Sequence, residues 1–264
     1  MRGRNPSVIW GGILVVLGVL FLLSNLNVNI RWDLLWPIFL VAVGLWLLAA
    51  RVGPGAGYAD VDSAEARDGI TKATLELSVG AGRVDVRSAS LGDQLYKAHI
   101  EHAGASPDIR LDRAAATVKV NTRFDWFMGA RRLRVETQLS DAVAWDVKCS
   151  TGAIRGEFDL STTQVTTFDC RTGASRIDVN LPAPKGVVPV RIDGGALRVD
   201  ITRPAGAAIR VTSTGGALQL HADGTHQDGF GNREWRSPGF ESATDRFEVT
   251  VAGGALNVNI SQRQ

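Results

Sequence analysis

The 264-residue chain is poor in the residue types that most chemistry and most staples require. It has two cysteines, two methionines, two tyrosines, four histidines and nine prolines. Two cysteines are too few for a disulfide-stapled scaffold. Few prolines and only 21% charged residues argue against a disordered chain. Glycine is plentiful, at 29 residues, but lacks the three-residue period of collagen. No GxSxG, HExxH or nucleotide fingerprint occurs, and no CxxC or histidine cluster supports zinc. Catalytic, cofactor and metal residues are therefore all expected to be none. Residues 1–51 carry four arginines against Asp33, a net +3, which leaves 25 basic and 26 acidic groups, a net −1, in the remainder. A nucleic-acid-binding body would need a basic patch, and this charge balance gives no support for one.

What is present is concentrated apolarity at the start. Val8–Leu23 contains only apolar residues and glycine, and Leu34–Ala50 is free of charge. Each run is near the ~17-residue minimum for a membrane span. A signal peptide is the competing reading of the first run, but Ser24-Asn25-Leu26-Asn27 is a poor cleavage site. Soluble helices would show a polar face. Residues 1–51 thus read as a transmembrane helical hairpin, with helices at about 8–24 and 34–50. Trp10, Trp32 and Trp36 stand near the helix ends, as interfacial aromatics do. Arg2 and Arg4 on one flank and Arg51 on the other, against Arg31 in the link, put both ends in the cytoplasm by the positive-inside rule. That assignment makes the chain a two-pass membrane protein with a cytoplasmic body. Residues 52–70 read as a linker. Gly53-Pro54-Gly55-Ala56-Gly57 cannot continue a helix, and Asp60–Arg67 is expected to form at most a short turn.

Residues 71–264 read as an all-β domain. Alternation replaces helical periodicity from Ala73 onward. Five segments align on a glycine: Cys149–Ile154, Cys170–Ser175, Ile192–Leu197, Ser213–Leu218 and Val251–Leu256. Gly152, Gly173, Gly195 and Gly216 are spaced 21, 22 and 21 apart, and Gly254 follows after 38. This predicts stacked 21–22-residue β-repeats of β-solenoid-like form with an insertion near Asp223–Gly239. An isolated earlier copy is Leu77–Gly82. Each glycine is expected to supply a backbone angle that other residues resist. Four and six places after it stand mostly apolar residues, such as Val84 and Val86 or Val199 and Ile201, which should point inward. Between them stand polar ones, such as Arg83 and Asp85 or Arg198 and Asp200, which should point outward. In-register stacking would line the arginines up beside a row of carboxylates, as a docking stripe or as a solvated face with weak cross-strand pairs. A phosphate loop on Gly-Gly-Ala is rejected, because strands rather than a helix N-terminus follow. Leu95–His102, Asp108–Leu111, Thr117–Thr122 and Leu133–Leu139 read as a strand meander.

Cys149 and Cys170 occupy the same repeat position and are expected to be buried free thiols. Two loops stand out. Trp126 and Phe127 lie beside Arg131 and Arg132, and Trp235 and Arg236 lie in the insertion. Such aromatic–arginine clusters suit contact with a partner or with an anionic membrane surface. The alternatives are a satellite core for the first loop and an edge-covering cap for the second.

Gly11–Leu22 followed by Trp32-Asp33-Leu34-Leu35-Trp36-Pro37 resembles the LiaI/LiaF-like transmembrane hairpin. Trp145–Ile260 resembles the LiaF-type C-terminal domain of the toastrack class, through runs such as Phe158-Asp159-Leu160-Ser161, Val188–Ala196, Trp235–Gly239 and Asp245-Arg246-Phe247. The resemblance implies a membrane-anchored regulator of the bacterial cell-envelope stress response. Its implied partner is a membrane sensor histidine kinase, or another membrane protein, beside the lipid bilayer; a homo-oligomer also fits. The competing expectation is an envelope scaffold or adhesin-like surface protein whose rungs assemble edge to edge.

Overall fold

The chain divides into two compact units, Met1–Gly55 and Ala56–Gln264. The computed structural model describes residues 59–103, 105–124 and 133–263, together with Leu40 and Val41, which are helical. Apart from those two residues, the expected hairpin at 1–51 lies outside the described residues.

The second unit is all β. Its strands are β1 (Ala59–Ala66), β2 (Lys72–Ala89), β3 (Gln94–His102), β4 (Ala105–Asp112), β5 (Thr117–Phe124), β6 (Leu133–Ser140) and β7 (Ala144–Asp159). They continue as β8 (Gln164–Arg171), β9 (Ala174–Asn180), β10 (Val187–Pro204), β11 (Ala208–Ala222), β12 (Thr225–Arg236) and β13 (Arg246–Arg263). All join one sheet in the order β1-β3-β6-β2-β7-β8-β10-β13-β11-β12, with β9 beside β7 and β10 and the β4–β5 pair beside β2. The pairs β2–β7, β7–β8, β10–β13 and β11–β13 are parallel.

Parallel neighbours normally need a crossover of a dozen or more residues. Here β7 ends at Asp159 and β8 begins at Gln164, opposite the start of β7. So short a link requires each long strand to turn back on itself. It does so at its glycines, which puts the halves before and after the corner in two facing layers. Phe158, after the corner of β7, meets Phe168 of β8 edge to face, with ring centroids 5.1 Å apart. Such a pair adds ~0.5–1.5 kcal/mol beyond its buried area.

Alternation fills the space between the layers. Val84, Ile177, Val199, Leu220 and Val258 are all buried. Gly156 shares their position because the Phe158 ring occupies the room, 2.7 Å from where a Cβ would sit. Trp145, fully buried, donates its indole N–H to the Ser140 carbonyl at 3.0 Å.

The corner glycines are needed for a different reason than the sequence suggested. Gly82 has a φ in the left-handed range, whereas the aligned Gly152, Gly173, Gly195, Gly216 and Gly254, like Gly194 and Gly253, do not. Space is the constraint. A Cβ on Gly152 would lie 2.3 Å from the Gly80 carbonyl oxygen, one on Gly173 2.7 Å from that of Gly152, and one on Gly253 2.6 Å from that of Gly194. At Gly152, Gly173 and Gly253 the neighbouring backbone approaches too closely for any side chain, whereas Gly195 has ordinary room, with its nearest backbone atom 3.5 Å away.

Three further readings change. Asp60–Arg67, expected as a turn, supplies β1, an edge strand with little burial that is held by pairing to β3. The strands between β2 and β7 do not form a simple meander. β6 and β5 each run parallel to β2, while β3 and β4 add antiparallel to them. And β13 lies between β10 and β11, so spatial order departs from chain order.

Candidate functional surface

The insertion proves to be β12, which pairs antiparallel along the free edge of β11. Trp235 stands opposite Val211, half-buried and packed against the core. Arg236 is exposed and held by Glu234 at 2.5 Å and by Glu241; the hydrogen bond to Glu234 is the main cause of its raised pKa. Close by, the buried Phe240 ring lies under two guanidiniums, those of Arg210 at 5.4 Å and Arg246 at 5.3 Å. Phe230 protrudes from β12 where the register slips, 77% exposed beside a shallow shelf of Ala196, Leu197, Ala217, Leu218, Ala255 and Leu256. Trp126, Phe127, Arg131 and Arg132 lie outside the described residues. The strands that flank them, β5 and β6, border β2, which is six strand steps (~29 Å) from β12.

The outer face beyond the corner carries the charge ladder. Arg134, Arg83, Arg155, Arg176 and Arg198 stand in register on successive strands, beside Glu136, Asp85, Glu157, Asp178 and Asp200. Pairs form within strands, as Arg176–Asp178 at 3.2 Å, and between strands, as Arg83–Glu157 at 2.9 Å and Arg176–Asp200 at 3.3 Å. One residue departs from the expected outward set: Asp85 is buried, with its side chain 3% exposed, because Arg83 and Arg134 close over it. Burial, ahead of the opposing pull of Arg176, raises the Asp178 pKa. The ladder ends at β10. On β13 and β11 the same positions hold Asn257, Asn259, Gln219 and His221. His221 stacks on His226 of β12, with ring centroids 4.0 Å apart.

Two buried groups complete the inventory. Cys149 and Cys170 are free, buried and directly opposite each other. Hydrogen bonding with Cys170, then burial, pushes the Cys149 thiol well up, so it is a poor nucleophile. Arg203, 1% exposed, donates to the Ala207 carbonyl at 2.7 Å and pairs with Asp223. Burial lowers its pKa. Sequence reasoning missed this clip because Arg203 sits at the end of an otherwise regular strand, and its partners Ala207 and Asp223 lie beyond that strand. Among the described residues no three His, Cys, Asp or Glu side chains form a group able to hold a metal.

Residues 56–202 match the family model described as the N-terminal domain of toast_rack, DUF2154, and residues 8–48 match the LiaI-LiaF-like transmembrane region. The chain belongs to the LiaF-like toast_rack family. The toast_rack match ends within β10, two residues before that strand does. The LiaI-LiaF-like match assigns a membrane anchor to the N-terminal part. No curated protein matches the chain. A solved structure from Clostridium sporogenes, provisionally described as a cell adhesion protein, is similar with a TM-score of 0.67 at 17% identity, over 78% of this chain and all of that one. Another, from Parabacteroides merdae and provisionally described as an adhesin, reaches a TM-score of only 0.29 at 10% identity, over 80% and 98% of the two chains. The first likeness shows a shared toast_rack-like fold.

Proposed function

We propose that this chain is a membrane-anchored, non-enzymatic regulator or sensor adaptor of the bacterial cell-envelope stress response, acting on a membrane sensor histidine kinase. The observation that carries the reading is the union, in one chain, of a LiaI-LiaF-like transmembrane region and a toast_rack body. In this reading residues 8–24 and 34–50 form a two-helix hairpin with both ends cytoplasmic, and the body is built of 21–22-residue coils. The anchor holds the body beside other membrane proteins and raises effective concentration without new contacts. Trp126, Phe127, Arg131 and Arg132, with Trp235 and Arg236, supply contacts to the partner or to the inner leaflet.

The second reading, an adhesin-like scaffold that grows edge to edge, draws on the names given to the structural neighbours. The sheet edges speak against it. β1 presents Asp60, Asp62 and Glu65, β4 contains Pro107, and β12 is interrupted at Gly229 and Gly231, both with positive φ. Charge, proline and an irregular register are the devices that keep edge strands from pairing with other chains.

The test is paired. A reporter fused after Gln264 should be active only in its cytoplasmic form, and alkaline phosphatase activity there would favour the surface reading. Trp126→Ala and Trp235→Ala are then compared for stress response in the full-length protein and for Tm. Lost response at unchanged Tm supports contact. A large fall in Tm assigns that tryptophan to packing.

A further inference from the structure

Among the described residues of the body, two large apolar side chains are exposed, Val187 at 47% and Phe230 at 77%. The register of β12 fixes the place of Phe230. Gly231 pairs with Gly215 and Gly229 with Leu218, so Phe230 stands beside Gly216 and Ala217 at the corner of β11. Ala174, Ala196, Ala255 and Ala217 share one corner position on neighbouring strands, and all four are exposed. The Phe230 ring therefore closes an uncharged rim along the corner. A large apolar group left in water at such a place calls for a partner surface.

The chain also enters the body at this corner. Ala59, the first residue of β1, stands opposite His102, and His102 stands opposite Leu133. The Leu133 carbonyl lies against Gly82, the corner glycine of β2, 2.4 Å from where a Cβ would sit. The LiaI-LiaF-like match ends at residue 48, so residues 49–58 tether this edge to the membrane region by at most ~40 Å of chain. Ala59 and Phe230 stand at opposite ends of the edge, nine strand steps (~43 Å) apart.

The charge beside the rim suits an acidic surface. The first charged row past the corner holds Arg134, Arg83, Arg155, Arg176 and Arg198 on neighbouring strands. Each lies two residues nearer the corner than the carboxylate of its own strand. Their side chains remain 41–57% exposed although they are paired. Glu101 of β3 and Asp228 of β12 bound the row, and the uncharged Asn257 and Gln219 fill it next to Phe230.

We propose that this corner edge rests on the acidic lipid bilayer that anchors the chain, with the Phe230 ring at the boundary of headgroups and acyl chains and the arginine row facing the headgroup phosphates. Interfacial surfaces combine apolar rings with flanking arginines in this way, and acidic headgroups attract the cations. The short tether keeps the local lipid concentration high. The proposal rests on the membrane anchor and not on the kinase, so its failure would leave the kinase reading intact.

The experiment uses the full-length protein in vesicles of phosphatidylglycerol and phosphatidylcholine. A polarity-sensitive fluorophore is placed on Phe230→Cys or, at the far end of the strands between β6 and β7, on Ala142→Cys. Both positions are exposed, and the buried Cys149 and Cys170 should leave the unsubstituted chain unlabelled. Emission is compared with and without nitroxide-bearing lipid in the vesicles. Lipid contact predicts a blue shift and strong quenching by that lipid at position 230, and neither at position 142. Emission at 230 that matches emission at 142 overturns the proposal. A blue shift at 230 without lipid quenching also overturns it, and assigns the rim to a second copy of the chain.

Discussion

The two ends of the sheet are secured by different means. Toward β1, arginine–carboxylate pairs cross from strand to strand and include the buried Asp85 between Arg83 and Arg134. Toward β12, amides replace the charges beyond the corner, where Asn257 reaches Gln219 at 3.0 Å, while before the corner Arg210 of β11 still pairs with Glu248 of β13 at 3.2 Å. A polar cluster around the buried Arg203 also ties the strands together there. Arg203 of β10 holds Asp223 at the β11–β12 turn, Gln262 of β13 donates to Asp223 at 2.9 Å, and the Gly206 N–H donates to Gln262 at 3.2 Å. Charge ladders fix register along many strands at small gain per pair. A buried clip fixes one arrangement at one place, and its failure is costly.

The largest expected effect breaks that clip. Arg203→Ala should lower stability by ~2–4 kcal/mol, because it empties the space of a buried side chain and removes its hydrogen bonds to Ala207 and Asp223. Urea unfolding of the full-length protein measures this, and a loss below ~1 kcal/mol would mean that the β12 end is held by packing alone. The corner glycines come next. Gly152→Ala should cost ~1–3 kcal/mol, since its Cβ would press on the Gly80 carbonyl. Gly195→Ala should change little, because its nearest backbone atom is 3.5 Å away. Equal effects at the two sites would refute the close-approach account.

Asp85→Asn should cost ~1–2 kcal/mol, as a buried acceptor of charged hydrogen bonds is lost. Asp200→Asn on the same ladder, being more exposed, should stay within ~0.5 kcal/mol. A reversal would show that position along the ladder, rather than burial, sets the strength. The smallest effect concerns pH. The hydrogen bond that the His99 Nδ1–H donates to the Asp62 carboxylate, at 2.7 Å, raises the His99 pKa and joins β3 to β1. A raised folded pKa makes this contribution complete below the ordinary histidine pKa of ~6.5, and it is lost as pH rises through the folded value. Amide protection factors in β1, taken relative to the base-catalysed intrinsic exchange at each pH, should fall across that window, and the His99→Gln protein should not show the fall.

Much of this was legible in the sequence. Period-two apolarity identifies Val84, Val199 and Val258 as core, and the segment alignment pairs Cys149 with Cys170. The glycines mark each corner, although only coordinates reveal that a neighbour's carbonyl excludes a Cβ. Strand order was not legible, because β11 and β13 carry the same Gly-Gly-Ala-Leu pattern and either would suit β10. β1 was missed because an edge strand with so little burial has no apolar face to announce it. Of the candidate contact residues, Trp235 and Arg236 could be placed on β12, and their cluster with Glu234, Glu241 and Phe240 depends on a chain reversal that no local pattern encodes.

The central claim is that the anchored body restrains or relays a membrane sensor kinase. Its most direct test is phosphorylation of the cognate response regulator in cells that lack the chain, complemented either by the full-length protein or by residues 56–264 alone at equal abundance. The account predicts that loss of the chain changes basal or stress-induced phosphorylation, that the full-length protein restores it, and that the unanchored body restores it poorly. Phosphorylation that is the same with and without the chain, under both resting and stressed conditions, would contradict it.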